Sequence, residues 1–188
     1  PNFESSEFTF GMEQLMRENR FSGFDRISDA KQVSLMLWSR FINQKTHEEK
    51  ALFRAGEAFY LDNPRVQLNP TQTTHYSNSP FLLESQISWP LHTLSRMALE
   101  YNHREDLIQS GWAEMQYHQS LNRILNIGYR YRRETIETDP IDQVQFSFSQ
   151  SLHPKWRLLS AIQYDRKSQA SLGNIVGLNY ESCCWLLQ

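Results

Sequence analysis

The 188-residue chain carries 19 Lys and Arg against 21 Asp and Glu, a net charge of −2 that excludes a general nucleic-acid footprint. Its length reads as one domain, its mean hydropathy is −0.61, and it holds no apolar run long enough for a transmembrane helix. It starts at Pro1 with neither an initiator Met nor a signal-peptide pattern, so a processed or excised piece is expected.

Residues 1–30 show no clean period and are predicted to be largely loop. Phe8-Thr9-Phe10 reads as the end of a strand, and 12–17 as a helical turn. Residues 19–30 combine Gly, Ser and Asp with two Phe, two Arg and an Ile, a loop composed to pack onto something. From Lys31 to the end, successive β-hairpins are predicted. Val33, Leu35, Leu37, Ser39 and Phe41 share one face of the first strand, against Ser34, Met36, Trp38 and Arg40. After a turn over 43–49, a second strand covers 50–60; it is less clean because Glu57 falls in the set with Phe53 and Phe59. Residues 62–79 read as a polar loop.

The third strand sets Phe81, Leu83, Ile87 and Trp89 against Glu84, Gln86 and Ser88, and ends at a tight turn over 90–93. The fourth sets Met97, Leu99 and Tyr101 against Arg96 and Glu100. A charged loop over 102–106 leads to the fifth, with Ala113, Met115 and Tyr117 against Glu114 and Gln116. A turn over 118–122 precedes the sixth, where Leu125, Ile127, Tyr129 and Tyr131 oppose Asn126, Gly128, Arg130 and Arg132. After a loop over 133–142, the seventh sets Val144, Phe146 and Phe148 against Gln and Ser residues. A turn at 153–155 leads to the eighth, with Trp156, Leu158, Ile162 and Tyr164 on one face. The ninth carries Leu172, Val176, Leu178 and Tyr180, and Trp185 onward reads as a tenth strand cut short. Residues 89–102 and 150–165 echo each other weakly, as hairpin repetition would produce.

Strands of one length, alternating throughout and joined by alternating short and longer connections, predict an all-β, antiparallel, up-and-down sheet. Three features favour part of a large transmembrane β-barrel over a soluble sandwich. Arg40, Arg54, Glu84, Arg96, Glu100, Glu114, Arg130 and Arg132 lie well inside strands on the polar faces, as a wet lumen requires. Tyr and Trp gather near strand ends. Short turns oppose mostly longer loops. Nine or ten strands with open edges cannot stand alone in a bilayer, because every backbone group there must be paired, so a larger parent barrel is expected. A porin-like passive channel would share this pattern. A soluble carbohydrate-binding β-sandwich would need a closed apolar core.

Cys183 and Cys184 are the only cysteines and are neighbours. A bond between them would close a strained ring. In an oxidising compartment their partners lie elsewhere; in a reducing one they are two inert thiols. No catalytic constellation stands out. No His lies at metal-ligand spacing from another His or from the cysteines, and neither a glycine-rich phosphate loop nor a nucleophile elbow occurs. Neither enzymatic activity nor a cofactor or metal is expected. A scattered Ser/His/Asp set could converge only through the fold.

Three stretches carry a resemblance. The run from Arg20 to Val33, Arg-Phe-Ser-Gly-Phe-Asp-Arg-Ile-Ser-Asp-Ala-Lys-Gln-Val, resembles the loop-to-strand signature of the LPS-assembly outer-membrane protein family, also called the LptD or organic-solvent-tolerance family. Asn126 to Arg132 and Tyr180 to Trp185 are similar to later motifs of that family, in the same order and at similar spacing. The resemblance covers nearly the whole chain from about Phe8.

The resemblance implies a large barrel of the outer membrane of a Gram-negative bacterium, with a periplasmic N-terminal domain and a lipoprotein plug in its lumen. It implies transfer of lipopolysaccharide from a periplasmic bridge, reached through the N-terminal domain, to the outer leaflet, within membrane lipid. It further implies that Cys183 and Cys184 form disulfides with two cysteines of that domain, which this chain lacks. The first and last barrel strands, and so the lateral gate, are also absent. On this view Arg20, Phe24, Asp25 and Arg26 are candidate contacts for the plug. The eight strand charges either engage the plug or an anionic sugar head group, or pair with one another to hold the strands in register. Strand parity, which does not depend on the resemblance, puts Cys183-Cys184 at the end carrying the short turns, the periplasmic side of a bacterial barrel.

Overall fold

The computed structural model describes residues 11–17, 31–62, 77–120, 123–134, 139–182 and 184–187. Phe8 to Phe10, the loop over 19–30 and Cys183 lie outside the described residues. The described elements are a 3-10 turn, Gln14–Met16, and ten strands. These are β1 (Gln32–Ile42), β2 (Glu49–Tyr60), β3 (Phe81–Trp89), β4 (Thr93–Asn102), β5 (Leu107–Ser120), β6 (Arg123–Arg132), β7 (Ile141–His153), β8 (Trp156–Asp165), β9 (Ala170–Glu181) and β10 (Leu186–Leu187). They form one open sheet in chain order, with β1 and β10 at its edges. The all-β, up-and-down architecture is the one the alternation predicts. The 3-10 turn falls within the expected helical turn over 12–17.

Register shows why period two is decisive here. Along β6 to β9, Leu125 faces Phe148, then Ser160, then Val176; the next row is Ile127, Phe146, Ile162 and Asn174. The row beyond is Tyr129, Val144, Tyr164 and Ser171. The other face alternates with these rows. Arg130 faces Gln143 and then Asp165; Gly128 faces Gln145 and then Gln163; Asn126 faces Ser147 and then Ala161. A slip of one residue would exchange the two faces completely. Bulges at 118–120 and 151–153 absorb register shifts beside short connections, so β5 and β7 run further than the alternation alone marks.

The chain divides into two compact units, one of residues 1–39, 53–84 and 100–108, the other of 40–52, 85–99 and 109–188. The first holds a small buried cluster: Met12, Leu15, Ala58 and Leu82, with Met36 packed against it. The Leu15 carbonyl accepts hydrogen bonds from Ser34 Oγ and from Gln32 Nε2. The segment around the 3-10 turn therefore lies on the even-numbered face of β1. The consequence is visible along that strand. Val33, Leu35 and Leu37 are 48%, 60% and 79% exposed, whereas Gln32, Ser34 and Met36 are half-buried.

The second unit contains β6 to β9 whole and the connections over 43–48, 90–92, 154–155 and 182–185, all at one end of their strands. Its apolar face is exposed: Ile127, Phe146, Ile162, Val176 and Leu178 are all open. The rings of Trp156 and Tyr180 meet at 4.8 Å, tilted by 54°, where this face meets the short connections. Tyr164 lies eight residues from Trp156, about 26 Å along β8. Among the described residues, four buried apolar side chains make up the entire core. A sandwich would hide these strand faces against a second sheet, and all ten strands belong to one.

Candidate functional site: the charged face of the sheet

Three cross-strand ion pairs stand on the polar faces. Arg40 Nε on β1 lies 2.9 Å from Glu49 Oε2 on β2. Arg54 Nε on β2 lies 3.4 Å from Glu84 Oε2 on β3. Arg96 Nη2 on β4 lies 2.5 Å from Glu114 Oε1 on β5. Each joins strands adjacent in the sheet, where side chains on one face come close enough to couple. Five of the eight sequence-selected charges are thus brought together as Arg–Glu pairs across strands, one of them through Glu49, which sequence inspection passes over.

The other three differ. Glu100 is buried. Arg132 donates Nε and Nη2 to the carbonyl of Asp139, at 3.2 and 3.0 Å, which ties the end of β6 to the residue two before β7. Arg130 is exposed and lies in register between Trp112 on β5 and Gln143 on β7. Arg20, Phe24, Asp25 and Arg26 lie outside the described residues. Cys184 is exposed, in a connection closed by Ser182 N donating to the Trp185 carbonyl at 2.9 Å.

Glu57 is the exception that the alternation flags. It shares a face with Phe53 and Phe59, yet it is not stranded there. Asn78 Nδ2 donates to its Oε1 at 2.5 Å, and His103 Nε2 lies 3.4 Å from its Oε2. The His103 ring meets Tyr101 edge-on at 5.3 Å and Phe81 at 6.0 Å. Arg104 Nη2 reaches Asn78 Oδ1 at 3.0 Å. This polar knot near the end of β2 satisfies a carboxylate on an otherwise apolar face. It depends on contacts some 20 and 45 residues away in sequence, beyond the reach of local periodicity.

The connections carry their own electrostatics. Glu48 accepts from Lys50 Nζ at 2.8 Å and from Thr46 Oγ1 at 3.2 Å; the lysine first, then the threonine, holds its carboxyl below the ordinary range. Glu134 is held low in the same way by Lys167, whose Nζ lies 2.9 Å away. Among the described residues, two hollows open on the second unit. One of about 600 Å³ at the short-connection end is lined by Glu48, Lys50, Trp89, His92 and His118. The other, about 260 Å³, lies between Trp112 and the glutamines of β7 and β8. Among the described residues no three His, Cys, Asp or Glu side chains are gathered so as to hold a metal ion.

One sheet, antiparallel and up-and-down, apolar and exposed on one face and charged on the other, with aromatic rings bounding the apolar band, is part of a transmembrane β-barrel. The family profile described as LPS transport system D matches residues 1–156. Proteins named LPS-assembly protein LptD align with the whole of this chain: 33% identical over 188 residues in Nitrosomonas eutropha, 30% over 190 in Burkholderia cenocepacia and 33% over 222 in Pseudomonas aeruginosa. The chain belongs to the LptD family. It spans about a quarter of the length of these relatives, 25%, 24% and 24% respectively.

Proposed function

We propose that this chain forms part of the outer-membrane translocon that inserts lipopolysaccharide into the outer leaflet of a Gram-negative outer membrane, working with a lipoprotein plug. The observation that carries this reading is the two-faced sheet, in a chain of the LptD family. One face is apolar and unburied. The other is crossed by the pairs Arg40–Glu49, Arg54–Glu84 and Arg96–Glu114. The apolar face meets membrane lipid, and the charged face lines a water-filled lumen. The role is physical transport, with no bond made or broken.

Within that role the lumen charges have distinct tasks. Paired arginines hold register, and Arg130 meets passing polar groups, its planar fork suited to phosphate and hydroxyl alike. Arg20, Phe24, Asp25 and Arg26 contact the plug. Cys183 and Cys184 face the periplasm and bond to cysteines of an N-terminal periplasmic domain. That domain receives lipopolysaccharide from the periplasmic bridge.

The test uses full-length protein with its partner lipoprotein in vesicles supplied with lipopolysaccharide from the periplasmic face. Lipopolysaccharide is expected to appear on the opposite leaflet. Its failure to appear, with passage of small solutes instead, would make the chain part of a passive channel.

A further inference from the structure

Trp112 is an aromatic ring on the wrong face for lipid. Register places it opposite Arg130 and on the same face as Glu114, which lies opposite Gly128. Its ring is 40% exposed and borders the hollow of about 260 Å³, together with Glu114, Arg130, Gln143, Gln145 and Gln163.

Gly128 is the second observation. It lies inside β6, where glycine weakens a strand. A Cβ built there would meet only Gln145 Cβ, at 3.8 Å, an ordinary contact. Neither backbone packing nor a left-handed φ requires glycine at this position. The missing side chain leaves the hollow open, as at a site where a ligand comes close to the backbone.

The lining selects the ligand. Gln163 Nε2 donates to Gln143 Oε1 at 3.0 Å, and the Gln143 amide in turn donates to the Asp165 carboxylate, which orients both amides and leaves one N–H on each and the Gln163 carbonyl for a further partner. Each planar amide offers both donor and acceptor, the pattern a hydroxyl needs. Among the described residues Arg130 has no carboxylate partner, and Glu114 already shares its charge with Arg96. An apolar acyl chain would find no aliphatic wall among these groups. A phosphate would meet one cation with a carboxylate close by. A ring of hydroxyls stacked on Trp112 satisfies the whole set.

We propose that Trp112, Arg130 and the Gln143–Gln163 amide pair form a subsite for one uncharged sugar ring of a saccharide moving along this face. The proposal rests on the transport reading above and adds a named contact for the sugar portion. The saccharide could belong to lipopolysaccharide or to another surface glycan; the chemistry is shared.

The test is calorimetric titration of full-length protein in detergent with three probes: deacylated lipopolysaccharide oligosaccharide, a neutral glucose oligosaccharide, and lipid A, an acylated and phosphorylated diglucosamine, without the core and outer sugars. The oligosaccharide is expected to bind, and Trp112→Ala to weaken it about tenfold. Gly128→Leu, which fills the hollow, is expected to abolish it even if the tryptophan variant does not fold. Binding of both oligosaccharides marks a general sugar site; binding of the first alone marks one matched to lipopolysaccharide. Either supports the proposal. Tight binding of bare lipid A with no response to the sugars overturns it. So does unchanged oligosaccharide affinity in both variants. Wild-type protein that transports lipopolysaccharide yet binds no oligosaccharide overturns this subsite and leaves the transport reading intact.

Discussion

Arg96 on β4 and Glu114 on β5 meet at 2.5 Å, guanidinium to carboxylate, on the same face of adjacent strands. Both side chains remain close to half exposed, so each pair of this kind contributes under about 1 kcal/mol in water. We propose that their larger role is to hold β4 and β5 in register. Arg96→Glu puts like charges opposite each other and is expected to destabilise the barrel by up to about 1 kcal/mol. The swap Arg96→Glu with Glu114→Arg is expected to restore most of that. Urea unfolding of the full-length protein in detergent measures both, and a double variant as weak as the single would mean the pair carries no coupling.

Gly56 and Leu15 are fitted together more tightly. A Cβ on Gly56 would lie 2.6 Å from Leu15 Cδ1, 3.1 Å from the Leu35 carbonyl oxygen and 3.2 Å from Met12 Sδ. Gly56→Val keeps a strand-forming residue but fills the socket. The segment over 11–17 should be driven off the sheet while β2 persists. A thiol introduced as Leu15→Cys, on a side chain 1% exposed, is expected to react with maleimide at least about tenfold faster in the Gly56→Val background. Equal rates would show that the segment is held from elsewhere.

Non-reducing mass spectrometry of the full-length protein from membranes tests the cysteine pair. Cys183 and Cys184 are expected in disulfides to cysteines outside this segment, in keeping with the periplasmic placement proposed above. Two free thiols in mature protein would contradict that placement.

Glu134 and Lys167 tie the connection after β6 to the one after β8, at 2.9 Å. The lysine holds the Glu134 carboxyl below its ordinary range. Its contribution is therefore fully present above the ordinary carboxylate range, and is lost as pH falls through the depressed folded value. Lys167→Gln should return Glu134 to ordinary titration, read by carbon NMR of labelled Glu. Salt should shrink the difference, because both groups are exposed to solvent.

Much of the fold was legible because alternation is a local signal. Nine strand centres and the direction of each face follow from residues such as Leu125 to Tyr131, whose period needs no partner to be read. The charged pairs were half legible. Arg96 and Glu114 announce themselves as charges inside strands, but which carboxylate meets which arginine depends on register, and Glu49 enters only through it. Glu57 looked like a flaw in β2 and is satisfied by Asn78 and His103, 21 and 46 residues further along the chain. Met12 and Leu15 gave no periodic signal at all, since a short segment folded back on a sheet face leaves no repeat. Gly128 stood on the polar face of the sixth strand, whereas Trp112 drew no notice in the fifth. Their position either side of one hollow depends on register and was not legible.

The two-faced wall is tested most directly by placing a spin label at each position from Gln143 to Ser149 on β7, in full-length protein reconstituted in lipid. Phe146 and its neighbours Val144 and Phe148 share the exposed apolar face, and the residues between them the polar one. Labels at 144, 146 and 148 are expected to be accessible to oxygen dissolved in lipid and shielded from a water-soluble nickel complex, with the opposite result at 143, 145, 147 and 149. Accessibility to nickel at all seven positions, or with the two sets reversed, would contradict a barrel wall with lipid on one side and a wet lumen on the other.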